Sequence, residues 1–221
     1  MPGLGTLDLR FIVPILITFL VAITVHEFMH AWTAWQLGDD TARLLGRVSL
    51  NPVVHFDPVG ALMFMLIAIG FPALAWGRPV PVNDYRLRPL GRFGRQGSMA
   101  LVSLAGPLSN VVLGACAAIA LRVADQSRVA LGVVGDFLWI FMVINFSLAA
   151  FNMIPVPPLD GSRILTALLP PFWRPVLAPI ERYGIPILLL LLLVGGSLGR
   201  SIIGAISDPV FDLLMRIFNG R

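Results

Sequence analysis

Residues 21–35, VAITVHEFMHAWTAW, place two histidines and a glutamate inside a run that is otherwise nearly all apolar from Leu9 to Leu37. A bilayer core takes about 20 mostly apolar residues as a helix, so a run of this length is read as a membrane helix. Each charged group at that depth costs roughly 2.5 to 3.5 kcal/mol on insertion scales, which makes an ionisable cluster there a functional candidate. Composition supports the membrane reading: 57% of the 221 residues are hydrophobic and 13% charged, against about 25% charged in soluble domains.

The 16 basic residues are all arginine and face 12 acidic ones. They gather between the apolar runs, as loop charges on a cytoplasmic face do, and no basic helix face with interleaved aromatics suggests nucleic acid. Cys116, in LGACAAIAL, is the single cysteine, which excludes a disulfide framework and a thiolate metal cluster. MPGLGTLDLR lacks the basic start of a signal peptide, and the following run continues through the histidines, so it reads as a retained helix.

Five apolar segments follow: Leu9–Leu37, closed by Gly38-Asp39-Asp40; Val59–Trp76, interrupted by Gly70 and Pro72 and readable as re-entrant; Ser98–Leu121; Ala130–Met153; and Gly184–Ile206, an anchor. The expectation is an all-α polytopic membrane protein, a bundle of about five to six transmembrane or re-entrant helices. A single domain over 1–221 is expected, with its core at about 9–170 and the anchor at about 184–206. Turn punctuation in Thr41–Pro58 predicts a small β-hairpin, and the arginine- and proline-rich Gly77–Arg95 predicts an extended connection.

His26 lies roughly 22 Å along a helix that enters the membrane near Phe11, close to the far face. HEFMH matches His-Glu-x-x-His: spacing by four puts both imidazoles on one helix face, able to share a zinc ion, with Glu27 placed as a general base. Two ordinary core histidines are the alternative. A catalytic zinc needs a third ligand. Asp160, after the proline-broken FNMIPVPPLDG, is the strongest candidate, against a reading in which it only caps the helix that follows.

Taken together, HEFMH (26–30), LAGPLSN (104–110) and NMIPVPPLDG (152–161) resemble the site-2 protease family of intramembrane zinc metalloproteases, in a minimal form without an inserted PDZ domain. The resemblance implies that His26, His30 and Asp160 bind one zinc ion, that Glu27 activates water, and that Asn152 holds the substrate strand or developing oxyanion. Asn152 reads equally well as a packing residue. Gly106, Asn110 and Gly114, at i, i+4 and i+8, read as a scaffold face. His55 either reaches the site or steadies the hairpin through Asp57.

The implied activity is hydrolysis of peptide bonds within or near transmembrane segments of membrane-protein substrates. The enzyme would be multi-pass in the cell membrane, with its site near the cytoplasmic face and the lipid bilayer and substrate helix as its partners. The hairpin could offer an edge strand to an unwound substrate. The alternative is a metal-ion transporter built on the same cluster.

Overall fold

The computed structural model describes residues 9–68, 76–173, 179, 183–184, 186–188, 190 and 196–219. They form helices α1 (Leu9–Gln36), α2 (Thr41–Leu44), α3 (Pro52–His55), α4 (Pro58–Ala68), α5 (Gly94–Gln126), α6 (Val133–Asn152), α7 (Asp160–Leu168) and α8 (Gly196–Asn219), with short 3₁₀ turns at Gly91–Phe93 and Pro171–Trp173. Among the described residues, three stretches are long and apolar enough to cross a membrane: Ile12–Gln36, Gly91–Gln126 and Val133–Asn152.

Helix α1 ends as its sequence predicts. Gly38, at φ 101°, takes the left-handed conformation. The Asp39 and Gly38 amides then donate to the carbonyls of Ala34 and Trp35, a Schellman closure that satisfies the last turn.

The long helices meet through small residues. On α1, Thr18, Ala22, His26, His30 and Ala34 recur every four positions and all are buried, giving one stripe that faces α5. On α5 the answering stripe is Val102, Gly106 and Asn110, also buried. His30 meets Val102 and Asn110 meets Ala22, so the two helices run antiparallel. Farther along α5, Gly114 packs against the Phe146 ring of α6, where a Cβ would come within 2.4 Å of it. Ala117, Ala118, Met142, Phe146, Ala149 and Leu214 close that end of the core between α5, α6 and α8.

The expected hairpin is not formed, and no strand occurs among the described residues. Thr41–Pro58 folds into the helical turns α2 and α3 instead. Asp39 Oδ1 accepts from Thr41 N at 3.0 Å and so starts α2. Asn51 Oδ1 accepts from Val53 N at 3.0 Å, and Pro52 occupies the first turn, the ordinary way to begin a helix. The edge strand expected from this hairpin is therefore lost with it.

Of the segment expected at Val59–Trp76, α4 covers the first part, while 69–75 lie outside the described residues. Of the anchor expected at Gly184–Ile206, residues 196–206 lie in α8, which continues to Asn219; most of 184–195 lies outside the described residues.

The connection before α5 carries no helix or strand from Trp76 to Asn83, turns at Asp84–Arg86, and ends in the 3₁₀ turn Gly91–Phe93. It is pinned on both sides: Arg78 N donates to His55 O at 2.9 Å, and Asn83 N donates to Asp39 Oδ2 at 2.6 Å. The buried Arg47 guanidinium adds bonds to the carbonyls of Val54, Arg78 and Pro79. This strap lies across the face of α1 that carries Glu27, where a Cβ on Gly77 would sit 3.5 Å from Glu27 Cγ.

Candidate metal centre

Helix α6 stops at Asn152, and Met153–Leu159, with Pro155, Pro157 and Pro158, carries no regular helix. Helix α7 then restarts at Asp160 and packs against α5. Gly161 lets this break fold tightly, because a Cβ there would fall 2.2 Å from Met153 O. Asp160 thus projects from the first turn of α7 toward α1.

Asp160 Oδ2 lies 3.2 Å from His26 Nε2 and 3.3 Å from His30 Nε2, and the two Nε2 atoms are 3.0 Å apart. Both histidines are buried, and the Asp160 side chain is 14% exposed. Asp160 is the first residue of α7, whose N-cap position is Leu159, and its carboxylate is turned to the imidazoles.

The tautomers follow from the opposite ring atoms. His26 Nδ1 lies 2.7 Å from Asn110 Oδ1, and His30 Nδ1 lies 2.7 Å from Val102 O. Both partners are acceptors. Asn110 has its oxygen there because its Nδ2 donates to Asn145 Oδ1 at 3.0 Å and to Ala22 O at 3.3 Å. Each imidazole therefore carries its proton on Nδ1, and in the neutral rings both Nε2 atoms present lone pairs.

With both rings neutral, two nitrogen lone pairs and a carboxylate oxygen face one point, an arrangement that suits a cation. Two imidazoles plus one carboxylate is the donor set of a catalytic zinc site with an open position, and the outer partners Asn110 and Val102 O orient the rings as such sites require. Among the described residues, His26, His30 and Asp160 are the group of three whose ligand atoms fall within 4.8 Å of one another.

These residues line a cavity of about 180 Å³ together with Glu27, Asn152, Arg163 and the strap residues Trp76, Gly77, Val80 and Val82. Glu27 is buried beside the histidine pair. Asn152 is half-buried, and its Nδ2 donates to Leu148 O at 2.9 Å in its own helix.

Gly106 and Asn110 pack against α1 as the scaffold face expected from the sequence, and Asn110 also orients His26. A Cβ on Gly106 would come within 2.5 Å of His30 Nε2 and 2.6 Å of His26 Nε2, so only glycine leaves room for the rings. The i, i+4 spacing of Gly106 and Asn110 was the available signal.

His55 is outside this cluster. Its Nε2 donates to Ser49 O at 2.7 Å, while Asp57 Oδ1 accepts from Gly60 N at 2.7 Å, so Asp57 is not the partner expected for it. His55 Nδ1 is buried without a partner. Burial holds the His55 pKa below its ordinary value, with Arg47 pressing the same way and the Ser49 bond and Glu27 opposing.

The family model of peptidase family M50 matches residues 120–195, a range that contains Asn152 and Asp160. A Bacillus subtilis protein named "Putative zinc metalloprotease YwhC" is 34% identical over 212 residues, covering 93% of this chain and 90% of that protein. The Mycobacterium tuberculosis protein named "Putative zinc metalloprotease Rip2" is 30% identical over 181 residues, 79% of this chain and 64% of that protein. "Zinc metalloprotease MJ0392" of Methanocaldococcus jannaschii is 25% identical over 136 residues, 57% of this chain and 38% of that protein. No solved structure matches the chain. A relative aligned along nearly the whole of both chains, together with the family-model match, shows that this chain belongs to peptidase family M50, the site-2 protease family of zinc metalloproteases.

Proposed function

We propose that this zinc metalloprotease hydrolyses peptide bonds within or beside the transmembrane segments of membrane-protein substrates, with one zinc ion per chain held by His26, His30 and Asp160. The observation that carries this reading is the convergence of three lone-pair donors at 3.0 to 3.3 Å in a cavity that Glu27 also lines.

Zinc held there supplies Lewis-acid chemistry, polarising the scissile carbonyl and making water nucleophilic near neutral pH. Glu27 takes the proton of the attacking water and delivers it to the leaving amine nitrogen. Asn152 offers an amide donor toward the developing negative charge once its side chain leaves Leu148 O. Asn110 and the Val102 carbonyl keep both imidazoles in the tautomer that points a lone pair into the cavity. A transmembrane substrate hides its carbonyls in helical hydrogen bonds, so it must unwind before attack. The strap, which carries no helix or strand of its own from Trp76 to Asn83, gives the unwound chain a backbone to lie along.

The arginine-rich connections favour a multi-pass protein of the cell membrane with the site near the cytoplasmic face. The transporter reading is not favoured: a carrier needs access from both sides, and Glu27 stands beside the ligand set as a base rather than within it.

The test is cleavage of a membrane-spanning substrate by the purified, reconstituted protein. Wild type should cut within or next to the spanning segment, and Glu27→Gln should lose about 10²- to 10⁴-fold in rate. Zinc transport into vesicles that survives Glu27→Gln, with no cleavage by wild type, would overturn the proposal.

A further inference from the structure

A second, larger depression of about 940 Å³ opens beside the catalytic cavity. It is bounded by the end of the strap from Val82 to Tyr85, by Arg95 and Met99 at the start of α5, by Pro157 and Pro158, and by Arg163 and Thr166 on α7. Val82, Pro158 and Arg163 line both spaces, so the two adjoin across these side chains. A chain cut in the inner cavity has this outer groove as a path for the residues flanking the scissile bond.

The groove has a charge bias. Arg95 and Arg163 contribute two guanidinium groups and Asp84 one carboxylate, and all three side chains are exposed. Among the described residues neither arginine forms an ion pair within 4.0 Å, and Arg163 makes only a long contact of 3.8 Å from Nη1 to Met99 Sδ. Both guanidinium groups thus keep their donor forks available, in the geometry that carboxylates match. Arg163 stands one helical turn beyond Asp160 and so marks the passage between metal centre and groove.

We propose that this groove is a specificity subsite that receives an acidic stretch of the substrate polypeptide flanking the scissile bond, with Arg95 and Arg163 as its specificity-determining residues. The proposal rests on the proteolytic reading above and adds the chemistry of the flank. Exposed pairs of this kind are individually weak, so two of them give a preference of about fivefold in kcat/KM, and it shrinks as salt shortens the Debye length.

The experiment uses the full chain in neutral-lipid vesicles and three substrates that share one transmembrane segment and differ only in a flank of three glutamates, glutamines or lysines. The reading is the ratio of kcat/KM for the glutamate flank to that for the glutamine flank within each protein. This ratio is unaffected by an overall loss of activity. Wild type should give a ratio of about 5, falling toward 1 at high salt; Arg95→Gln/Arg163→Gln should give about 1; Arg95→Glu/Arg163→Glu should fall below 1 and favour lysine.

A wild-type ratio of 1, or a preference unchanged in the double variants, overturns the subsite. So does an equal loss for all three flanks that varies with added anionic lipid, because that assigns the arginines to the membrane surface. Binding of the soluble flank peptides to the Glu27→Gln protein tests the groove separately from catalysis. If wild type cuts none of the substrates, the protease reading fails, and tighter binding of the glutamate peptide, lost on charge reversal, still decides the groove.

Discussion

Asn110 Oδ1 lies 2.7 Å from His26 Nδ1, and the Asn110 amide is itself locked by Asn145 Oδ1 and Ala22 O. The asparagine therefore sets the direction of the His26 lone pair without lining the proposed metal position itself. Asn110→Leu should keep the fold and weaken zinc about 10- to 100-fold, the usual effect of losing an outer partner of a ligand histidine. Competition with a chelator of known affinity reads this directly; unchanged zinc affinity would show that His26 needs no such partner.

Gly106 lies against both imidazoles, and no side chain fits between. Gly106→Ala improves helix propensity by about 1 kcal/mol, yet it should displace the rings and lower zinc occupancy and cleavage by more than about tenfold. A stable, zinc-free protein is the expected product. Full zinc occupancy in Gly106→Ala would contradict the packing described here.

Asn152 borders the cavity but bonds within its own helix. Asn152→Ala should retain zinc and lower kcat by about 10²-fold with little change in KM, since its interaction strengthens only as charge develops. An equal loss of stability with kcat intact would make it a packing residue.

His55 gives the protein a pH dependence away from the metal centre. The fold holds its pKa below the ordinary value, mainly through burial, whereas the unfolded chain restores about 6.5. Its contribution to stability is complete above about pH 7 and is lost as pH falls through about 6.5 toward the folded value, because the unfolded state then binds the extra proton. His55→Gln keeps a donor for Ser49 O and removes the titration. Its melting temperature should fall less than that of wild type between about pH 7.5 and 5.5; identical falls would exclude His55 as the source.

Legibility from the sequence tracked how local each cause is. His26, Glu27 and His30 were readable because a helical spacing alone puts them together, and Asp160 because prolines must break the backbone just before it. The contacts of Gly106 and Asn110 were hidden: their spacing showed a small, polar face, but nothing local says that the face meets His26, 84 residues away in the case of Asn110. The hairpin over 41–58 failed for the opposite reason. Asp39 and Asn51 accept amide bonds two residues ahead and begin helical turns, and this side-chain chemistry overrides the alternation that suggested strands. The strap was expected as extended, yet its place beside Glu27 depends on Arg47 reaching Arg78 O and Pro79 O, a contact that spacing does not reveal.

The central claim is that His26, His30 and Asp160 form one metal centre in which Glu27 is the base and not a ligand. Zinc content per chain in detergent-purified wild type, Glu27→Gln and Asp160→Ala tests it most directly. The account predicts about one zinc in wild type and in Glu27→Gln, and a strongly reduced content in Asp160→Ala. No zinc in wild type, or undiminished zinc in Asp160→Ala, would contradict it.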